Sequence, residues 1–226
     1  MVVNFGKQAT FLGTWVWRIL RGSFYWLLGN FIYVFLVMNF LLAETVDEMG
    51  TLVITGVLLI PFIFAPGTIA AFSCVRKFFD ETKTASFSVF AKAYKENYRM
   101  AMSHGFIFVF ATFLLYVAYW YYGSFGIVGK IVPASLMIVA LSLFLFVLAY
   151  TSDRKERLWD YWKLGGLLLI NHPMFTLFMT TEIFFVLYFC HYIGALLLFV
   201  APGAVLLIVY YFYTESVKAE AKKMME

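Results

Sequence analysis

The stretch "FIFAPGTIAAF", Phe62–Phe72, sets a proline and a glycine side by side inside an apolar run where an uninterrupted helix would be expected. Proline lacks the N–H that a helix interior needs and crowds the carbonyl four residues back. Glycine gives up more backbone freedom than any other residue when it is ordered. The same pair returns in "LLFVAPGAVLLI", Leu197–Ile208, and a proline without the glycine stands in "VPASLMI", Val132–Ile138. Pro66, Pro133 and Pro202 are separated by 67 and 69 residues. A second landmark keeps the same period: "SHGF" at Ser103–Phe106 and "NHPM" at Asn171–Met174 lie 68 apart. Self-similarity at a fixed spacing marks repeated structural units.

What surrounds these landmarks is lipid-soluble. Of 226 residues, 63% are hydrophobic and only 13% charged, with a mean hydropathy of +0.85. A soluble domain is about half apolar and a quarter charged, so this chain has far more apolar surface than its own core can bury. A membrane-spanning helix needs about 20 apolar residues. Six stretches qualify: Phe24–Ala43, Leu52–Val75, His104–Tyr122, Ile131–Tyr150, Pro173–His191 and Tyr192–Tyr213. The last two are joined only through "HYIG", which predicts a tight hairpin.

Basic residues then orient the chain. Lys7, Arg18 and Arg21 precede the first span, Arg76 to Arg99 carry six more between the second and third, Arg154 to Lys163 carry four between the fourth and fifth, and Lys218, Lys222 and Lys223 end the chain. Lys130 alone falls on the other side, where Glu44, Asp47 and Glu48 also sit. Both termini are expected to be cytoplasmic. Two arginines and a full-length apolar run argue against a cleavable leader. The net charge of +4 calls for anionic membrane lipid rather than nucleic acid. Cys74 and Cys190 are expected at opposite membrane faces, which excludes a disulfide between them.

Each odd span is preceded by an aromatic and basic segment: "TWVWRILRGSFYW", "SFSVFAKAYKENYRMAM" and "ERLWDYWKLGGLLL". The expected fold is therefore an all-α integral membrane protein in a single domain, residues 1–226. It has three repeats near 10–80, 86–152 and 156–215, each an amphipathic elbow helix followed by a helical hairpin. In the central elbow Phe87, Phe90, Tyr94 and Tyr98 step along one helical stripe. Lys92, Lys95 and Arg99 lie on the other face, with Lys92 and Glu96 spaced as an i,i+4 pair. Such a helix suits the membrane interface and presents these seven ring and cation positions to a docking partner. Pro66, Gly67, Pro133, Pro202 and Gly203 read as helix kinks where units pack closely, with Thr68 and Ser135 available for freed carbonyls. The other reading of these kinks is broken helices lining a substrate site.

One acid, Glu182, falls deep in a span, and an ionisable group there is a functional candidate by default; Asn171, Thr180 and Thr181 are its candidate partners. His104 and His172 recur at matching positions and read as elbow-to-span caps rather than metal ligands. The sequence holds no nucleotide-binding P-loop, no H-E-x-x-H, no CxxC and no G-x-S-x-G. No catalytic residue, metal or cofactor is expected. The Arg76–Met102 loop also lacks the coupling motif of an ABC permease.

From Ala65 to Gly105, about 40 residues, the chain resembles the YesL-like family of bacterial membrane proteins. Pro66, Gly67, Thr68, Ala70 and Arg76 match its first run, with Gly67 where alanine is usual; Phe87, Phe90, Tyr94, Lys95, Asn97 and Tyr98 match its second. The resemblance implies a bacterial plasma-membrane protein associated with carbohydrate-utilisation loci beside sugar ABC importers. The expectation that follows is an accessory subunit docking to the permease and not itself binding ATP. An independent small proton- or cation-coupled transporter or channel, using Glu182, is the alternative.

Overall fold

The computed structural model describes residues 2–80, 85–192, 194 and 199–223. Among these the chain is entirely helical: α1 (Val2–Gly29), α2 (Phe31–Leu42), α3 (Val46–Leu59), a π-helical turn (Ile60–Phe64), α4 (Ala65–Phe79), α5 (Phe87–Gly123), α6 (Ile127–Asp153), α7 (Leu158–Asn171), α8 (Pro173–Tyr192) and α9 (Ala201–Lys223). Among the described residues, four helices are long and apolar enough to cross a membrane: Val46–Phe79, Phe87–Gly123, Ile127–Asp153 and Pro173–Cys190. The bent pair Leu12–Gly29 and Phe31–Leu42 would make a fifth. The predicted hairpin at "HYIG" and the start of the sixth predicted span include residues 193 and 195–198, which lie outside the described residues.

The first predicted span, Phe24–Ala43, is not one rod. It breaks at Asn30, whose φ of −120° and ψ of 28° leave the helix, and α2 departs from α1 at 90°. The contact behind the break is backbone on backbone: a Cβ on Gly29 would stand 2.8 Å from Gly67 Cα. The three elbows also differ from one another. In the third unit His172 precedes Pro173, and a residue before proline is driven out of the helical region; α7 and α8 are accordingly two helices, with His172 at φ −128°, ψ 57°. In the second unit glycine follows His104 instead, so elbow and span run on as the single 37-residue α5.

The opening stretch proves to be the centre of the molecule. Ala65 through Val75 are all buried, and α4 is enclosed by α1, α5, α6 and α9. Its small residues Ala65, Gly67, Ala70, Ala71 and Ser73 let neighbours come close, which is how helices associate when lipid offers no hydrophobic drive. Pro66 is accommodated by the π turn just before it. There the Ala65 N–H reaches back five residues to the Ile60 carbonyl, widening the helix where the ring would meet the preceding turn. Gly105 of α5 lies so near Pro61 that a Cβ would collide with its Cα. Below this level Phe108 and Phe144 stack at 4.2 Å and join α5 to α6.

Both Pro-Gly pairs seat the first helix. Gly67 meets Gly29 and Asn30, while Gly203 meets Ile19, Gly22 and Ser23. The Ser23 hydroxyl accepts from the Gly203 N–H at 2.8 Å. Pro133 is buried inside α6 with no glycine beside it. The hydroxyls expected to serve the prolines act elsewhere. Thr68 accepts from the Trp26 indole at 3.2 Å, and Ser135 donates to the Val132 carbonyl at 2.8 Å. Neither reaches the carbonyl four residues before its proline.

Candidate functional site

At the end of the molecule where the basic loops gather, α4, α5 and α6 leave a cleft of about 350 Å³ between them. Ser73, Arg76 and Lys77 come from the last turns of α4, and Lys92, Glu96 and Asn97 from the elbow half of α5. Thr151, Ser152 and Asp153 end α6, and Arg154 and Lys155 follow it. Five cations thus line the cleft against two carboxylates.

Each carboxylate is already engaged. Arg76 Nη1 donates to the Ser152 carbonyl at 3.0 Å, the Asp153 carbonyl at 2.9 Å and Asp153 Oδ1 at 3.2 Å. A guanidinium on the last carbonyls of α6 satisfies groups that have no partner within the helix and complements the negative end of its dipole. The Tyr213 hydroxyl donates to Asp153 Oδ2 at 3.2 Å, tying in α9. Glu96 takes Lys155 at 3.3 Å and Lys92 at 3.9 Å. The segment carrying Arg154 and Lys155 is held by Tyr161. Its hydroxyl donates to the Arg154 carbonyl and accepts from the Glu156 N–H, both at 2.8 Å. Burial holds this phenol above the ordinary tyrosine pKa, which keeps it a neutral donor.

Behind Thr151 lies a wholly buried histidine. His104 Nδ1 accepts from the Trp162 indole N–H at 3.1 Å, and Nε2 lies 3.1 Å from Thr151 Oγ1. That hydroxyl spends its own proton on the Val147 carbonyl at 2.7 Å, so Nε2 carries the ring proton and the imidazole is neutral. Both ring nitrogens are used, but not as the expected elbow-to-span cap: α5 runs unbroken through His104. Its partners are side chains of α6 and α7, so it locks three helices at one point. His172 acts similarly in the third unit, 3.3 Å from Glu220 of α9, which also accepts from Asn171 at 3.2 Å. Asn30 is the counterpart missed from the sequence. It too ends an aromatic segment, is fully buried, and donates to the Trp26 carbonyl at 3.1 Å. "YWLLGN" at residues 25–30 was the available signal.

The expected docking residues divide. Phe87, Lys92, Lys95 and Arg99 are exposed, and Tyr94 and Tyr98 are half-buried. Phe90 is buried and stacked on Tyr25 of α1 at 6.0 Å, so it holds the elbow to the body and is not open to a partner. The rings of Phe87, Phe90, Tyr94 and Tyr98 form a ladder along α5. The Lys92–Glu96 pair forms as its spacing indicated.

Glu182 is exposed at the middle of α8 and makes no hydrogen bond or ion pair among the described residues. Its expected partners are occupied: Thr180 and Thr181 donate to carbonyls of their own helix, and Asn171 serves Glu220. It is not gathered into a site with the buried Pro66 and Pro133. A carboxylate at the bilayer centre costs about 2.5–3.5 kcal/mol on insertion scales when nothing offsets it. Cys74 and Cys190 are both free thiols and both buried.

A family profile described as "Protein of unknown function, DUF624" matches residues 50–119. The match covers under a third of the chain, from α3 through most of α5, and so includes two of the three helices that line the cleft, α4 and α5. No curated protein and no solved structure matches.

Proposed function

We propose that the chain is a non-catalytic membrane subunit that docks onto another membrane protein, the permease of a carbohydrate (oligosaccharide) ABC importer. The observation that carries this reading is the division between a filled interior and an unpartnered exterior. Phe72, Ile69, Phe144, Phe146, Leu148 and Val209, from α4, α6 and α9, are fully buried. Polar groups near them are bonded within the chain, Thr151 to the Val147 carbonyl and His104 to Thr151 and Trp162. Outside, α8 exposes Glu182 and a run of aromatic residues, and the elbow exposes Lys95 and Arg99. The partner class comes from likeness alone: the 50–119 match contains both runs that resemble the YesL-like family. In this reading both termini and the elbow face the cytoplasm of a bacterial cell.

A tagged pull-down from native membrane in mild detergent, with mass spectrometry of the co-purifying chains, tests it. Stoichiometric ABC permease supports the subunit reading, and Lys95→Glu with Arg99→Glu then weakens the complex. Recovery of the protein alone, or only with copies of itself, overturns it. That result would favour the independent transporter, for which Glu182→Gln abolishing uptake in proteoliposomes is the requirement.

A further inference from the structure

The cleft between α4, α5 and α6 has more positive charge than its architecture consumes. Asp153 is shared by Arg76 and Tyr213, and Glu96 is shared by Lys155 and Lys92. Both acids are thereby neutralised from within. Lys77, at the end of central α4, has no ion pair among the described residues, and the exposed Arg154, whose side chain also bonds the neutral Tyr150 phenol, lines the same recess. The guanidinium of Arg76 is held in place through Nη1 alone, leaving Nη2 and Nε unbonded among the described residues. Its position is therefore set by α6 before any ligand arrives.

Cations converging on a recess with low-dielectric walls focus potential there far more than the same charges spread over a convex surface. A phosphoryl group matches such a recess: it has a high charge, several acceptor oxygens, and a size well within about 350 Å³. Guanidinium N–H pairs and ammonium groups are its preferred donors.

We infer that this cleft binds a phosphate-bearing ligand, held by Arg76, Lys77 and Arg154. The cleft lies at the basic ends of three membrane-length helices, so the phosphoryl group has two possible sources, an anionic phospholipid headgroup or a free phosphate compound. The site stands apart from the docking role, because it belongs to the isolated chain and is measured without a partner.

The experiment uses the full-length protein in nanodiscs. In neutral phosphatidylcholine discs, inorganic phosphate is titrated and followed by calorimetry. In parallel, protein from discs containing phosphatidylglycerol is examined by native mass spectrometry for retained lipid. Saturable phosphate binding in neutral discs identifies a soluble source; retained phosphatidylglycerol without phosphate binding identifies the headgroup. In either arm Lys77→Gln with Arg154→Gln lowers affinity at least about tenfold. The charge-keeping pair Lys77→Arg with Arg154→Lys retains most of it. Arg157→Gln with Lys163→Gln, the same charge loss at exposed positions outside the cleft, leaves binding near wild type. Binding in neither arm overturns the proposal. So does equal weakening by both glutamine pairs, which would show diffuse attraction in place of a site. Binding of an acidic peptide in place of both phosphate and lipid overturns it as well.

Discussion

A glycine can be a contact rather than a weakness, and Gly203 shows how. A Cβ there would run into the Ile19 carbonyl and Ser23, both backbone or short side chain with nowhere to go. Gly203→Val should therefore push α9 off α1 and cost about 1–3 kcal/mol or more, read as a lower unfolding midpoint in detergent. Gly166 of α7 has nothing within 4 Å of its Cβ position. Gly166→Ala should raise the midpoint slightly, by about 0.5–1 kcal/mol. The buried imidazole gives a second test. Trp162→Phe keeps an aromatic ring, though a smaller one, and leaves His104 Nδ1 without its donor; a buried orphan acceptor costs about 1–3 kcal/mol. Thermal unfolding monitored by loss of helical signal would register that loss; an unchanged midpoint would mean that the indole bond contributes nothing.

At the scale of elements, one proline separates two otherwise similar elbows. "SHGF" lets α5 run through His104, whereas "NHPM" ends α7 and starts α8. Pro173→Ala removes the steric cause of the break, so the junction should straighten toward the form of α5. Spin labels at the exposed positions Lys163 and Thr181 would then move apart, by pulsed electron resonance. An unchanged distance would show that the His172–Glu220 link and the packing of α8 on α9 hold the bend without the proline. The break at Asn30 was harder to foresee. Neither glycine nor asparagine forbids a helix as proline does, and the close approach of Gly67 that stabilises the bend comes from a helix some 40 residues later in the chain.

For the whole molecule the outer surface is the informative part. Glu182 is exposed and makes no hydrogen bond or ion pair among the described residues, so Glu182→Leu should leave the isolated protein at least as stable as wild type in lipid. The same variant should reduce co-purification of any partner that pairs with the carboxylate. Measured together, the unfolding midpoint and the yield of complex separate a packing residue from a contact residue. A large drop in stability with no change in association would exclude the contact role.

Much of this architecture was legible before any coordinates. A chain so apolar has to use lipid as solvent, and helices are the form its sequence pattern supports. Of the spaced prolines and histidines, His172–Pro173 marks where two elements meet, whereas His104 and Pro133 lie inside single helices. The i,i+4 pair of the elbow also followed from local spacing. What tertiary structure alone decided is which apolar face looks inward. In water a helix declares its buried side by contrast with a polar one; in a membrane the core and the lipid are equally apolar, so that contrast disappears. Hence "APGTIAA" as the centre of the fold, Phe90 against α1 and Glu182 on the outside were decided by how the helices meet. The cleft had the same origin, since its cations come from three segments that are far apart in the chain and converge only where three helices end together.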